Sequence, residues 1–357
     1  MNHGLHTVFK NFRRANSVLL ACFFCWTACS EEKPVLRQVQ PSFYYWKTVY
    51  DLPPDITERV RKIAGGRMYL RFFDVEWNSE RADAFPVSDI VFRQQPAADT
   101  LVPVVYVTNE ALREMPDTAV RALGARIFTR VAQLMTKAGN PPWPEIQLDC
   151  DWSESTKERY FALVKNVADS LHAKQKKLSV TIRLHQVKYF EKTGVPPADR
   201  GTLMFYNMGD LSDPKTKNSI YDPAVAGNYL VNFDRYPLAL DLALPWFSWT
   251  VVQRNGKTAG LLNNMDEKQF AALKNVERIG AYRARVLQPQ RIEGHDLQAG
   301  DLLRLEPVSL ENCRAAAAQI APYIRERNLR VIFFDLDQKQ FTDETEKELE
   351  AVLAELR

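Results

Sequence analysis

The 357-residue chain is 46% hydrophobic, 11% aromatic and 25% charged. That composition supports a full core in one large domain or two ordinary ones and excludes a disordered or low-complexity chain. The formal charge is +3, but Lys10, Arg13 and Arg14 lie in an acid-free leader; the remaining 44 basic residues match the 44 acidic ones. Electrostatics therefore gives no reason to expect a nucleic-acid partner.

The leader comes first. Three basic residues precede the apolar run from Val18 to Trp26, which ends in Thr27-Ala28-Cys29. A basic segment, a short apolar segment and a small residue before a junction have the form of a secretory signal too short for a comfortable membrane span. With Ser30-Glu31-Glu32-Lys33 following Cys29, the junction resembles a bacterial lipoprotein signal, although Trp26 stands where an aliphatic residue is usual. The resemblance implies a signal peptide over 1–28 and lipidation of Cys29. Cys22 is a second candidate, with a shorter apolar segment, and an uncleaved apolar anchor is the alternative. All versions place the folded part outside the cytoplasm, tethered to a bacterial membrane (outer membrane or periplasmic face). Residues 29–41, with Pro34 and Pro41 and no periodicity, read as the tether.

Past the leader the only cysteines are Cys150 and Cys313, and the three histidines, His172, His185 and His295, are scattered. Buried free thiols are expected, and no metal or other cofactor is implied.

From residue 42 onward β-rich and helical patterns alternate. Strand-like runs occupy 42–49, 67–77, 101–109, 145–151, 178–186, 201–208, 238–246 and 329–337. Helical patterns occupy 55–64, 117–139, 155–174, 222–236, 309–328 and 343–356, with Ser155 and Glu158 spaced as a capping box. This alternation predicts an α/β fold with a parallel sheet. Eight units in this length fit a closed (β/α)₈ TIM barrel over 42–357 better than an open sheet. No glycine-rich nucleotide fingerprint follows the first strand. At about 250–308 the pattern breaks: a hairpin with an Asn255-Gly256 turn, a helical 266–280 and several short strands read as a small β-rich insertion before the last strand.

Barrel active sites are built from polar side chains at the C-terminal ends of the strands. The fourth strand places Gln147, Asp149 and Asp151 on one face, and the fifth places Ser179, Thr181, Arg183 and His185. The eighth ends with Asp335 and Asp337 on one face. These rows mark either a site or a buried salt-bridged layer, such as Arg183 with Asp149. Neighbouring carboxylates repel, so one keeps its proton and can serve as an acid, the arrangement glycoside hydrolysis uses. Asp149 and Asp151 are the core pair. Glu154, or Asp74 or Glu76 of the second strand, is the candidate partner; Asn109, Glu110, Arg183 and His185 are candidates for positioning substrate. Among aromatics at strand ends, Trp246 and Tyr206 are the preferred sugar-stacking candidates, ahead of Trp152 and Trp249.

"LDCDW" at 148–152 and "LMFYNM" at 203–208 resemble the family 18 glycoside hydrolases, the chitinase and endo-β-N-acetylglucosaminidase group. Their fourth strand reads D-x-x-D-x-D-x-E and their sixth M-x-Y-D. Asp149 and Asp151 match the second and third acids, and Met204 and Tyr206 match M-x-Y, with Asn207 in place of the last aspartate. The resemblance implies that Asp151 orients a substrate N-acetyl group and that Tyr206 binds it. Ile146 and Ser153 occupy the positions of the first acid and the catalytic glutamate, and Glu154 falls one residue late. The whole chain also resembles a group of barrel-shaped bacterial lipoproteins. The expected function is that of an extracytoplasmic glycan hydrolase acting through strand-end carboxylates, or a non-catalytic glycan-binding or assembly lipoprotein on the same barrel.

Overall fold

A computed structural model describes residues 37–96 and 98–357. The leader, the proposed lipidation site Cys29 and the tether up to residue 36 lie outside the described residues. Among the described residues no helix is long and apolar enough to cross a membrane.

Eight parallel strands close into a barrel: β1 (Gln38–Tyr45), β2 (Arg67–Asn78), β3 (Thr100–Val107), β4 (Glu145–Asp149), β5 (Lys177–Arg183), β6 (Arg200–Met204), β7 (Leu240–Pro245) and β8 (Asn328–Phe334). Each pairs with its chain neighbour, and β1 closes the ring by pairing with both β8 and β2. β1 begins at Gln38, so residues 38–41, read as tether, belong to the barrel. Pro41 disguises them, yet the strand tolerates it: there β1 pairs only with β8, and its bonds to β2 start at Phe43. A ninth strand, Asp83–Val87, pairs antiparallel with the C-terminal half of β2 outside the ring.

Outward-facing Leu, Ile, Val and Phe of the strands pack under α1 (Pro54–Ala64), α2 (Val120–Lys137), α3 (Lys157–His172), α4 (Leu310–Ile320) and α5 (Thr345–Ala354) in one continuous core. Cys150 and Cys313 are buried free thiols within it.

Three helix expectations need correction. Ser155 and Glu158 do not form a capping box: α3 starts at Lys157, because the Ser153 N–H donates to Thr156 Oγ1 (2.9 Å) and winds 153–156 into a turn. The helical pattern at 222–236 yields only Pro223–Gly227, and the chain then turns through Asn232 at φ +64°. The segment 266–280 is helical only over Glu267–Ala271, while Val276–Gly280 is a strand.

That strand belongs to the insertion, a five-stranded antiparallel sheet in the spatial order Lys257–Asn263, Ser248–Arg254, Leu302–Pro307, Arg283–Val286, Val276–Gly280. The expected hairpin is present, with Asn255 and Gly256 both at positive φ, the backbone a two-residue turn of this type requires. One face carries Val252, Leu303 and Leu305 into a small core of its own; the other carries Trp249 and Val251 against the barrel mouth.

Candidate functional site

The barrel lumen is layered. At its N-terminal end Arg330 donates to Glu145 (2.6 Å) and lies 3.6 Å from Asp241, which also pairs with Arg200 at 2.7 Å. Above this, the Gln147 amide donates to Ser179 (3.2 Å) and Thr202 (2.9 Å) and accepts from the Tyr44 hydroxyl. A salt-bridged layer therefore exists, but it is not the Arg183–Asp149 pair considered from the sequence.

At the C-terminal mouth Asp149 ends β4, buried, and accepts from Thr181 Oγ1 at 2.6 Å. Burial raises its pKa to about 6; the Arg183 charge opposes this and the Asp151 charge reinforces it. Arg183, at the end of β5, grips Asp151 with two parallel hydrogen bonds, Nη2 to Oδ2 being 2.7 Å. Asp151 is itself 47% exposed, just past the strand end. Asn109 fixes this corner: its amide donates to the Asp151 carbonyl, and its Oδ1 accepts from Thr156 Oγ1 at 2.6 Å.

A bulge in β2 supplies the opposite side. The pairing with β3 slips between Arg71 and Phe73, so Phe72 and Phe73 both pack outward and Arg71 and Asp74 both reach the mouth, where they form an ion pair. Asp74 Oδ1 is buried with no partner.

Two connected clefts open over these groups. A cavity of about 280 Å³ sits above the lumen between Arg71, Asp74, Tyr106, Asp149 and Phe334. Beside it a cleft of about 490 Å³ is walled by His185, Tyr229, Trp249 and Leu261. Asp151, Arg183, Tyr206 and Asn207 line both. Tyr206 stands at the junction, its ring stacked on Phe334 (centroids 5.3 Å) and edge-on to Phe247. Its hydroxyl is buried without a partner, and burial holds its pKa far above the usual range, so it remains a neutral donor and acceptor. Burial and the Arg183 charge lower the pKa of His185 and so keep its ring neutral near pH 7.

The fold thus unites Asp74, Asp149, Asp151, Arg183, His185, Tyr206 and Asn207, with Asn109 bracing the corner. The other candidates fall elsewhere. Glu154 is 74% exposed and paired with Lys192 (3.3 Å) in a separate groove beyond His185. Trp152 lines that groove; its ring stacks on Tyr160 (5.1 Å) and its indole donates to the Thr193 carbonyl. Trp246 packs behind the barrel wall against Phe43, Phe333 and Phe341, 4% exposed. Glu110 is exposed on the short helix Asn109–Glu114, and Glu76 is exposed on the arm of β2 beyond the ring. Asp335 does not share the lumen face, which Ile332 and Phe334 occupy; it is buried near Asp337 and Lys47, its pKa raised to about 6 by burial and Asp337.

Arg71, Tyr106 and Trp249 are the mouth residues that sequence reasoning passed over or ranked low. Trp249 stood in the same "PWFSW" run as Trp246, and only the strand pairing distinguishes their faces. Among the described residues no group of three or more His, Cys, Asp or Glu side chains is placed to hold a metal ion.

No protein-family model and no curated protein sequence matches the chain. Solved structures do. The chitinase from Chromobacterium violaceum ATCC 12472 superposes with a TM-score of 0.53 at 13% identity, covering 89% of this chain and 99% of that one. The spore cortex-lytic enzyme SleL of Bacillus cereus gives 0.53 at 11% identity, over 88% of this chain and 75% of that one. SleL of Bacillus megaterium QM B1551 gives 0.51 at 11%, over 88% and 74%. At such identities the likeness is one of fold: this is a glycosidase-like TIM barrel.

Proposed function

We propose that the paired clefts at the barrel mouth bind an uncharged glycan, and that the protein acts as a lipid-anchored, extracytoplasmic glycan-binding protein. The observation that carries this reading is the Tyr206 hydroxyl, buried yet without a partner, at the junction of the two clefts. A buried hydroxyl is costly to leave unpaired, and a sugar hydroxyl or amide would satisfy it. Asp74 Oδ1 offers an acceptor of the same kind. Both arginines at the mouth are neutralised, Arg71 by Asp74 and Arg183 by Asp151, so no cation is left over to hold an anionic ligand. The fold neighbours include a chitinase, so oligomers of N-acetylglucosamine are the first ligands to try.

Binding without hydrolysis is favoured by what stands in the acid's place. Ser153 is exposed and bonds Ser155 (3.0 Å), and Glu154 is turned into another groove. A second reading, glycan hydrolysis, has one observation in its favour: Asp149 holds its proton up to about pH 6 beside Asp151, the split between paired carboxyls that an acid catalyst needs.

Calorimetric titration with chitotetraose, N-glycan, peptidoglycan fragments and soluble plant polysaccharides tests both, alongside an assay for released reducing ends. Saturable binding weakened in Asp151→Asn, with no turnover, is the expected result. Turnover abolished in Asp149→Asn would establish the hydrolase instead, and absence of binding to all four classes would remove both readings. For location, Cys29→Ala is expected to move the protein from the membrane fraction to the soluble fraction; retention in the membrane would overturn the lipid anchor.

A further inference from the structure

The larger cleft has a wall that the barrel does not build. Trp249 and Leu261 come from the inserted sheet, while Asn207, Gly209, Leu211 and Ser219 come from the long connection after β6. That connection has little regular structure between 205 and 222. The Asn207 and Met208 N–H groups close its base by donating to the Ile220 and Ser219 carbonyls (2.8 and 3.0 Å), and side chains of the inserted sheet hold its outer part. Arg304 donates to the carbonyls of Leu211 (3.2 Å) and Asp213 (3.1 Å). Gln253 donates to those of Leu211 (3.1 Å) and Ser212 (3.3 Å), and Arg283 to those of Pro214 and Thr216 (both 3.0 Å).

Glu306 joins the two halves of the wall. It is fully buried and directly opposite Trp249 in the strand pairing. Its Oε2 accepts from the Trp249 indole (2.7 Å), the Ser219 N–H (2.8 Å) and the Ser219 hydroxyl, while Oε1 accepts from Arg304 Nε at 2.6 Å. One carboxylate thus fixes an indole of the cleft, a loop residue of the cleft and the arginine that holds the rest of the loop. We propose that Glu306 is a positioning residue: through Trp249, Ser219 and Arg304 it makes the inserted sheet the element that sets the shape, and hence the ligand selectivity, of the larger cleft. The selectivity clause rests on the glycan reading above; the positioning clause does not.

A glutamine at 306 keeps the shape but cannot accept from both the indole and Arg304, since its Nε2 is a donor. The matched control is Asp301→Asn, which breaks the Arg254–Asp301 pair (2.8 Å) of the same sheet without touching the cleft. Full-length protein carrying 5-fluorotryptophan reports on the indole by ¹⁹F NMR, with the Trp249 resonance assigned by its loss in Trp249→Phe. Glu306→Gln is expected to shift and broaden that resonance and leave the other tryptophans in place, while Asp301→Asn leaves all of them unchanged. A Trp249 resonance unmoved in Glu306→Gln would overturn the proposal. Chitotetraose titration is the second arm: Glu306→Gln should weaken binding about tenfold, the scale of one lost charged hydrogen bond, and Asp301→Asn by less than about twofold. Equal weakening in both variants would overturn the selectivity clause. If the wild type binds no glycan, the glycan reading and the selectivity clause fall together, and the NMR arm alone decides the positioning role.

Discussion

The two ends of the barrel lumen hold similar chemistry in opposite states. At the N-terminal end Glu145, Asp241, Arg200 and Arg330 form a sealed layer in which each carboxylate meets a guanidinium, although Glu145 Oε1 has no hydrogen-bond partner among the described residues. At the C-terminal end Arg71 pairs with Asp74 and Arg183 with Asp151, while Asp149 accepts only from Thr181; Asp74 Oδ1 and the Tyr206 hydroxyl lack partners, and cleft space lies above them. Charge in a lumen is therefore no mark of function by itself. Atoms without hydrogen-bond partners occur at both ends, so the open volume beside them is what separates a site from a structural layer.

The sealed end should give the largest effect on stability. Arg330→Ala strips Glu145 of its only ionic partner among the described residues and weakens the hold on Asp241. It should cost about 3 kcal/mol in urea denaturation, the scale of an uncompensated buried charge. The double change Arg330→Met with Glu145→Gln should recover most of that loss. A single-variant cost below about 1 kcal/mol would mean that water reaches the layer and the two ends are alike.

The open end should respond to pH. Asp149 titrates near 6 in the folded state against an ordinary value of 3.8, so between about pH 4 and 6 the folded chain binds more protons than the unfolded one. Its contribution to stability therefore falls as pH rises through that window. Asp149→Asn removes the dependence. Its stability relative to wild type should climb by about 2–3 kcal/mol from pH 4 to pH 6.5 and level off above it. A flat difference would show that Arg183 keeps Asp149 ionised throughout, and would remove the proton on which the hydrolytic reading depends.

Much of this contrast was legible in the sequence, and what was missed has physical causes. The alternation in "EIQLDCD" gave the correct faces for Gln147, Asp149 and Cys150, because β4 is regular. Asp74 was singled out without Arg71, since the extra residue at Phe72 shifts the phase of β2 and no pattern of two announces a bulge. Asp335 was assigned inward because its polar face was equated with the lumen face. The alternation puts it with Val331 and Phe333 on the outer face, and Phe334 and Ile332 fill the lumen side. The sealed layer went unseen because Arg330 lies 185 residues from Glu145 and 89 from Asp241, and the three meet only through ring closure. Trp246 and Trp249 could not be ranked from "LPWFSW", because one chain segment passes there from the barrel to the inserted sheet, and pairing with Glu306 turns Trp249 to the mouth.

A smaller effect is expected from Asp151→Ala, and it should appear in binding rather than stability. The Asp151–Arg183 pair is half open to solvent, so its loss should change unfolding free energy by less than about 1 kcal/mol. The same change frees Arg183 to swing toward Asp149 and leaves a net positive charge in the larger cleft, whose lining then holds Arg183 without a carboxylate. Affinity for a neutral glycan should fall at least about tenfold, the 1.4 kcal/mol of one good polar contact. Unaltered affinity would move the ligand away from the cleft junction.

The smallest effect belongs to Glu154→Gln. By chain position Glu154 is the nearest glutamate to the missing acid, one residue past Ser153. By geometry it is a surface group, three-quarters exposed and paired with an equally exposed Lys192 across a groove that Asp151 does not line. Exposed pairs of this kind contribute little, so stability should stay within about 0.5 kcal/mol of wild type, and glycan affinity should be unchanged. For Glu154 to take part in chemistry, the 152–156 turn would have to give up the Ser153–Thr156 bond and the stacking of Trp152 on Tyr160. A loss of binding or turnover beyond about tenfold in Glu154→Gln would require that rearrangement, since the 1.4 kcal/mol it represents exceeds what an exposed pair supplies. The site would then be completed by a turn that folds inward over the ligand, rather than by the lumen alone.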